Sequence, residues 1–172
     1  MPTTEGISDL LCRTAMTHAV QEVMRTMLNL STVFHSEIDA RKPGGIAAAI
    51  NGPQVVGTVG FLGDIDGLLY LFLGSDFATN AAAHLLGVTS EELESDGDEA
   101  INDAIGELTN MTVGTFKNQL SDRGIQCKLT IPSILRGSNF RIEPTSTVTR
   151  RTYRFDIGSH SLITDLLMKT EA

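Results

Sequence analysis

The chain has 172 residues, 41% of them apolar and 20% charged, which is enough apolar content for one domain-sized core. Its 21 acidic and 13 basic residues leave a net charge of −8, which repels phosphate backbones and excludes nucleic acid as a natural partner. No run approaches the roughly 18–20 consecutive apolar residues of a membrane span, and the start Met-Pro-Thr-Thr-Glu-Gly lacks a basic secretory opening; residues 1–172 are expected to form one cytoplasmic domain with no membrane partner.

From Ser8 to about Leu30, apolar residues at 10, 11, 15, 20, 23, 24, 27 and 28 recur at helical spacing, with Ser8 placed to cap the start. A long amphipathic helix follows from this. After a polar stretch containing Pro43-Gly44-Gly45, β-type runs at 46–50, 55–62 and 68–73 are separated by Asn51-Gly52-Pro53 and by Gly63-Asp-Ile-Asp-Gly67, which is turn chemistry and predicts three consecutive antiparallel strands. Ser75 is expected to cap a short helix through Leu86, with Ala78, Ala81, Ala82 and Leu85 inward and Gly87 as its stop.

The acidic run 91–99 leads into a second long helix at about Asp98 to Ser121, where carboxylates before the N-terminus suit the helix dipole. Gly124 ends the helical part. Further β-type runs follow at 125–131, at 133–143 with a turn near Gly137-Ser-Asn, and at 147–157; residues 161–169 read equally as helix or strand. Cys12 and Cys127 lack Cys-x-x-Cys spacing and are read as plain buried thiols. His18, His35, His84 and His160 form no His-x-x-x-His pair, so no metal site is expected. Arg150, Arg151 and Arg154 are the one local basic cluster, and strand alternation would spread them over two faces as a solvated surface.

The second long helix carries the most informative pattern. Asp103, Glu107, Asn110 and Gly114, at offsets 0, 4, 7 and 11, share one stripe of the cylinder. Ile101, Ala104, Ile105, Leu108, Met111, Val113, Phe116 and Leu120 crowd mostly onto the remainder, so the helix is expected to be buried on one side with a narrow polar strip on the other. On the residues alone, such a polar pair more often satisfies a helix–helix or dimer contact than forms a reactive site.

The segment Ala104-Ile-Gly-Glu107-Leu-Thr-Asn110-Met-Thr-Val-Gly114 resembles the signature helix of the CheX and CheC family of chemotaxis phosphatases, whose pattern is Asp or Ser, three residues, Glu, two residues, Asn. Gly63-Asp-Ile-Asp-Gly67-Leu-Leu-Tyr-Leu-Phe-Leu-Gly74 and Leu129-Thr-Ile-Pro132-Ser-Ile-Leu-Arg-Gly137 agree in kind with the CheX branch, and together the similarities cover roughly residues 45–140. The resemblance implies an α+β, two-layer fold: two long helices on a mostly antiparallel sheet, built from a duplicated helix-plus-strands unit, with a final strand at 161–169. The first helix reads Glu22-Val-Met-Arg25 where the duplicate site would lie, with Arg in place of Asn, so a single active helix is expected, as in CheX.

By the same resemblance, the substrate would be the aspartyl phosphate of a CheY-like receiver domain. Asn110 would position water through an amide that both accepts and donates, and Glu107 would pair with the receiver's active-site Lys. Asp103 and Gly114 would contribute to partner binding, and Gly106 and Gly114 would permit close approach of the receiver or of the first helix. The protein would need no cofactor of its own, the Mg²⁺ belonging to the receiver, and it would be a homodimer. A non-catalytic receiver-binding or dimeric module of the same fold is the alternative, against which the intact Glu107 and Asn110 argue. A metal hydrolase built on Asp103, Glu107 and a histidine is the weakest reading, because no His lies within a turn of them.

Overall fold

The computed structural model describes residues 7–42, 44–144 and 147–169. The N-terminal apolar spacing becomes α1 (Asp9–Leu28), where the Ser8 hydroxyl accepts from the Leu11 amide at 3.0 Å and left-handed Asn29 closes the other end. Next comes β1 (Val33–Ile38), a strand that the polar stretch concealed. Residues 46–50, expected as a strand, instead form α2 (Gly45–Ala49) and its C-cap. Three consecutive alanines favour the helix, and Ile46 and Ile50, four apart, bury one shared face against Val56, Phe72 and Ile163.

The hairpin β2 (Gln54–Gly63) and β3 (Gly67–Gly74) forms as its turn residues require, with Gln54 opposite Gly74 and Phe61 opposite Gly67. In α3 (Ser75–Leu86), Gly74 occupies the N-cap with no side-chain bond and Ser75 is already helical, so Ser75 is not the cap; Gly87 stops the helix in the left-handed region, as expected. The acidic run does more than approach the next helix: it folds as α4 (Ser90–Ser95), started by a reciprocal Thr89–Glu92 capping box. The long α5 (Asp98–Ser121) follows, with Asp98 and Glu99 in its first turn.

After α5 come β4 (Cys127–Leu129), β5 (Ser133–Gly137), β6 (Val148–Ile157) and β7 (His160–Lys169). The expected strand at 133–143 ends at Gly137. Beyond it, Asn139 is left-handed, and Phe140 and Ile142 fold back onto the outer sheet face, Phe140 edge-on to Phe72 at 6.2 Å. The tail is a full strand, paired with both β3 and β6.

All pairings are antiparallel and the strand order is β1-β6-β7-β3-β2-β4, with β5 also on β2. Exchanging β1 with β4, β2 with β6 and β3 with β7 returns the same order read backwards, which is the expected duplication made visible. One sheet face carries the main core: Val55, Val59, Phe61, Leu69, Leu71, Tyr153, Phe155 and Leu166 meet the apolar sides of α1, α3 and α5. Cys12 and Cys127 are free and buried within this core, and burial pushes the Cys12 thiol up to about 11, leaving it unreactive at neutral pH.

The arginine cluster is not the solvated surface its alternation suggested. Arg150 makes two bonds to fully buried Asp165, at 3.0 and 2.6 Å, donates to the Ile142 carbonyl at 2.8 Å, and so ties segment 139–144 to the outer face. Thr152 donates to the same carboxylate at 2.9 Å. Arg151 reaches across to Asp9 at the start of α1, and Arg154 lies 3.3 Å from Asp156. Each arginine thus has an acidic partner, on another element for Arg150 and Arg151 and two residues along the same strand for Arg154.

Replacing Arg150 by Met would leave Asp165 buried without a counter-charge and cost about 3 kcal/mol by urea unfolding, while the double variant Arg150→Met/Asp165→Leu should recover most of that loss.

Candidate active-site face of the long helix

Helix α5 is held to the sheet by its buried face, with Phe116 tilted against Phe61 of β2 at 6.5 Å and Ile105, Leu108, Thr109, Thr112 and Val113 all buried. Thr109, Thr112 and Thr115 do not disrupt it, because each hydroxyl donates to the carbonyl one turn back, of Ile105, Leu108 and Met111, at 2.7 to 2.9 Å. The polar strip is left facing outward. Glu107 and Asp103 are exposed, and Asn110 and Gly114 half-buried. Among the described residues, the Glu107 and Asn110 side chains have no hydrogen-bond or ion-pair partner.

Three residues apart on a regular helix, Glu107 and Asn110 are separated by about 4.5 Å along the axis and about 60° around it. The four expected residues are therefore brought together on one open face, neither walled into the core nor splayed apart.

One flank of that face is the β4–β5 segment. A Cβ at Gly106 would lie 3.7 Å from Pro132 Cγ and 4.0 Å from Ile134, and one at Gly114 would lie 3.9 Å from Leu129. These are ordinary contacts with the β4–β5 strands, so approach of the first helix is not what favours glycine at either position. Arg136 of β5 donates to the Asn102 side chain at 2.7 Å and lies 3.5 Å from Asp98, which pins this flank to the first turns of α5. Beside it, Ile131 is 87% exposed, an unusual position for a large apolar side chain.

The duplicated position on α1 is chemically different. Glu22 is bonded to Arg25 at 2.8 Å, and this bond holds its carboxyl below the usual range. The carboxylate of the first helix is thus satisfied within its own helix, whereas that of Glu107 is free for a visitor.

Sequence reasoning missed how α5 is seated. Gly57 of β2 is buried on the helix-facing side, where a Cβ would stand 1.9 Å from Thr109 Oγ1 and 2.8 Å from Thr109 Cβ. The available signal was a lone glycine between Val55 and Val59 in a strand, a place where another chain element comes close.

A cavity of about 520 Å³ lies on the other side of the sheet, lined by Arg41, Phe140, Ile142 and Arg150 among others. Its inner guanidinium is already committed to Asp165, and it is remote from the α5 strip. Among the described residues, no group of three or more His, Cys, Asp or Glu could hold a metal ion, and no helix is long and apolar enough to cross a membrane.

The family model for the chemotaxis phosphatase CheX matches residues 55–156, which contain all but the first residue of the β2–β3 hairpin and the whole of α5. The CheY-P phosphatase CheX of Thermotoga maritima is 26% identical over 144 residues, covering 79% of this chain and 82% of that protein. Among solved structures, a CheC-like superfamily protein from Shewanella sp. PV-4 has the same fold, with a TM-score of 0.76 at 22% identity over 94% of this chain and 99% of that one. The CheX chain of a CheX-CheY-BeF3-Mg²⁺ complex from Borrelia burgdorferi aligns with a TM-score of 0.72 at 18% identity, over 91% of this chain and 97% of that one.

Because a Cβ at Gly106 meets only ordinary contacts, Gly106→Ala should raise stability by up to about 1 kcal/mol through helix propensity, read as a higher thermal midpoint with an unchanged helical circular-dichroism signal.

Proposed function

Because this chain belongs to the CheX family of chemotaxis phosphatases, we propose that it hydrolyses the aspartyl phosphate of a CheY-like response-regulator receiver domain, using the open face of α5. The observation that carries this reading is the pairing of an unpartnered carboxylate and an unpartnered carboxamide one turn apart on a rigid, solvent-facing helix. The named CheY-P phosphatase activity of the Thermotoga relative and the CheX-CheY complex of the Borrelia one support the same substrate class.

An acyl phosphate already has a good leaving group, so the protein needs chiefly to position water and to fit the charges around phosphorus. Asn110 accepts a hydrogen bond from the attacking water through its amide oxygen and donates through its NH₂ group toward the phosphoryl oxygens. As the water oxygen bonds to phosphorus, the bond from phosphorus to the receiver's aspartyl oxygen breaks. The products are inorganic phosphate, carrying the water's protons, and a free carboxylate on the receiver. Glu107 forms a charge-assisted bond with the receiver's Lys and holds the two proteins in register. Mg²⁺ sits on the receiver, whose carboxylates supply hard oxygen ligands. Asp103 and Gly114, at neighbouring turns of the strip, extend the contact to the partner.

This reading includes action in the cytoplasm and a homodimer. Strand β1 supports the second point, since among the described residues it pairs only with β6, which leaves its other edge from Val33 to Ile38 open.

In a phosphate-release assay with a phosphorylated CheY-like receiver and Mg²⁺, Asn110→Ala should lower kcat by about 100-fold or more, in line with the loss of one preorganised group. Glu107→Ala should mainly raise KM, as expected for a docking contact. Equal decay with wild type and both variants would reject the catalytic role of these residues, and a bound receiver whose phosphate loss is not accelerated by the wild-type protein would convert the assignment to the non-catalytic module.

A further inference from the structure

We propose that Gly57 is a positioning residue for the phosphatase step, setting through Thr109 the height at which α5 presents Asn110; this rests on the function proposed above. On the helix-facing side of β2, the neighbouring positions carry Val55, Val59 and Phe61, all buried. Gly57 alone leaves a gap there, and Thr109 of α5 fills it. The glycine is not demanded by backbone conformation, since its φ lies outside the left-handed region; it is demanded by space. A Cβ would come within 1.9 Å of Thr109 Oγ1, 2.8 Å of its Cβ and 3.1 Å of its Cγ2.

Thr109 cannot swing aside. It is fully buried and β-branched, and its hydroxyl is committed to the Ile105 carbonyl at 2.7 Å. Relief must come from the backbone of α5, and the residue next to Thr109 in that backbone is Asn110. Two turns on, Phe116 rests against Phe61 at 6.5 Å, so the helix would tilt about that contact, lifting Asn110 together with the turns that precede it. By contrast, Gly106 and Gly114 on the same helix have room for a methyl group, which makes the constraint particular to the Gly57–Thr109 contact.

The test is steady-state phosphate release from a CheY-like receiver charged with acetyl phosphate and Mg²⁺, run well below each variant's unfolding midpoint. Gly57→Ala should lower kcat by about 100-fold, the penalty expected for a shift near 1 Å, with KM little changed because docking contacts spread over several turns. Gly57→Ala/Thr109→Gly, which exchanges the clashing atoms for space, should return kcat to the level of Thr109→Gly alone. Wild-type kcat in Gly57→Ala, or a loss that the second change does not rescue, overturns the proposal.

If Gly57→Ala does not fold, Thr109→Ala probes the same contact from the other side. Removing Oγ1 and Cγ2 lets α5 settle toward the strand, and kcat should fall about tenfold at constant KM; an unchanged kcat again overturns the proposal. Asn110→Ala, measured in parallel, separates the two levels. If it keeps full kcat, the functional reading itself is wrong; if it loses kcat while Gly57→Ala does not, only the positioning role fails.

Discussion

Helix α5 and strand β2 touch through a threonine seated over a missing side chain, and the presentation of the polar strip depends on that contact. A helix normally rests on a sheet through interleaved apolar side chains, and its height varies with whichever rotamers they adopt. Here Thr109 sits directly above the backbone at Gly57, while Phe61 and Phe116 meet farther along. Two contacts of different depth define both height and tilt. The three back-bonded threonines then allow polar side chains in the buried half of the helix without leaving any of their hydroxyls unpaired.

Internal duplication explains both the architecture and its asymmetry. The strand order reads the same from either end once the two halves are exchanged, so α1 and α5 occupy related places beside one shared sheet. The residue beside the shared glutamate separates them most directly. On α1, Arg25 engages Glu22 and neutralises it locally; on α5, Asn110 offers Glu107 no counter-charge, and Glu107 is unpaired among the described residues. A neutral carboxamide next to a free carboxylate leaves an electrostatic demand on the surface that a cationic group on another protein can meet.

The opposite face of the sheet has been closed by different means. Strands two-sided in their burial need cover on both sides, and α2 together with Phe140 and Ile142 supplies it over Val56, Phe72 and Ile163. The Arg150–Asp165 pair fastens that cover from beneath. A buried ion pair of this kind contributes little net stability but strongly penalises any arrangement that breaks it, so it selects one position for segment 139–144.

Elements whose chemistry is local were readable from residue order. The periodicity and Ser8 cap of α1, the Gly-rich turn of the β2–β3 hairpin, the Gly87 stop, the limits of α5, and the strip of Asp103, Glu107, Asn110 and Gly114 all follow from spacing of 3.6 or 2 and from turn residues. Residues 46–50 misled because a short apolar run looks alike in a helix and in a strand, and only the outer sheet face that receives Ile46 and Ile50 distinguishes them. β1 was hidden because an edge strand alternating exposed and half-buried residues has little apolar signal of its own; it exists through its ladder to β6, more than 100 residues away. The partners of Arg150 and Arg151, and the fit of Thr109 over Gly57, join residues distant in the chain. No local pattern encodes such pairs, because their energies arise only when burial brings the groups together.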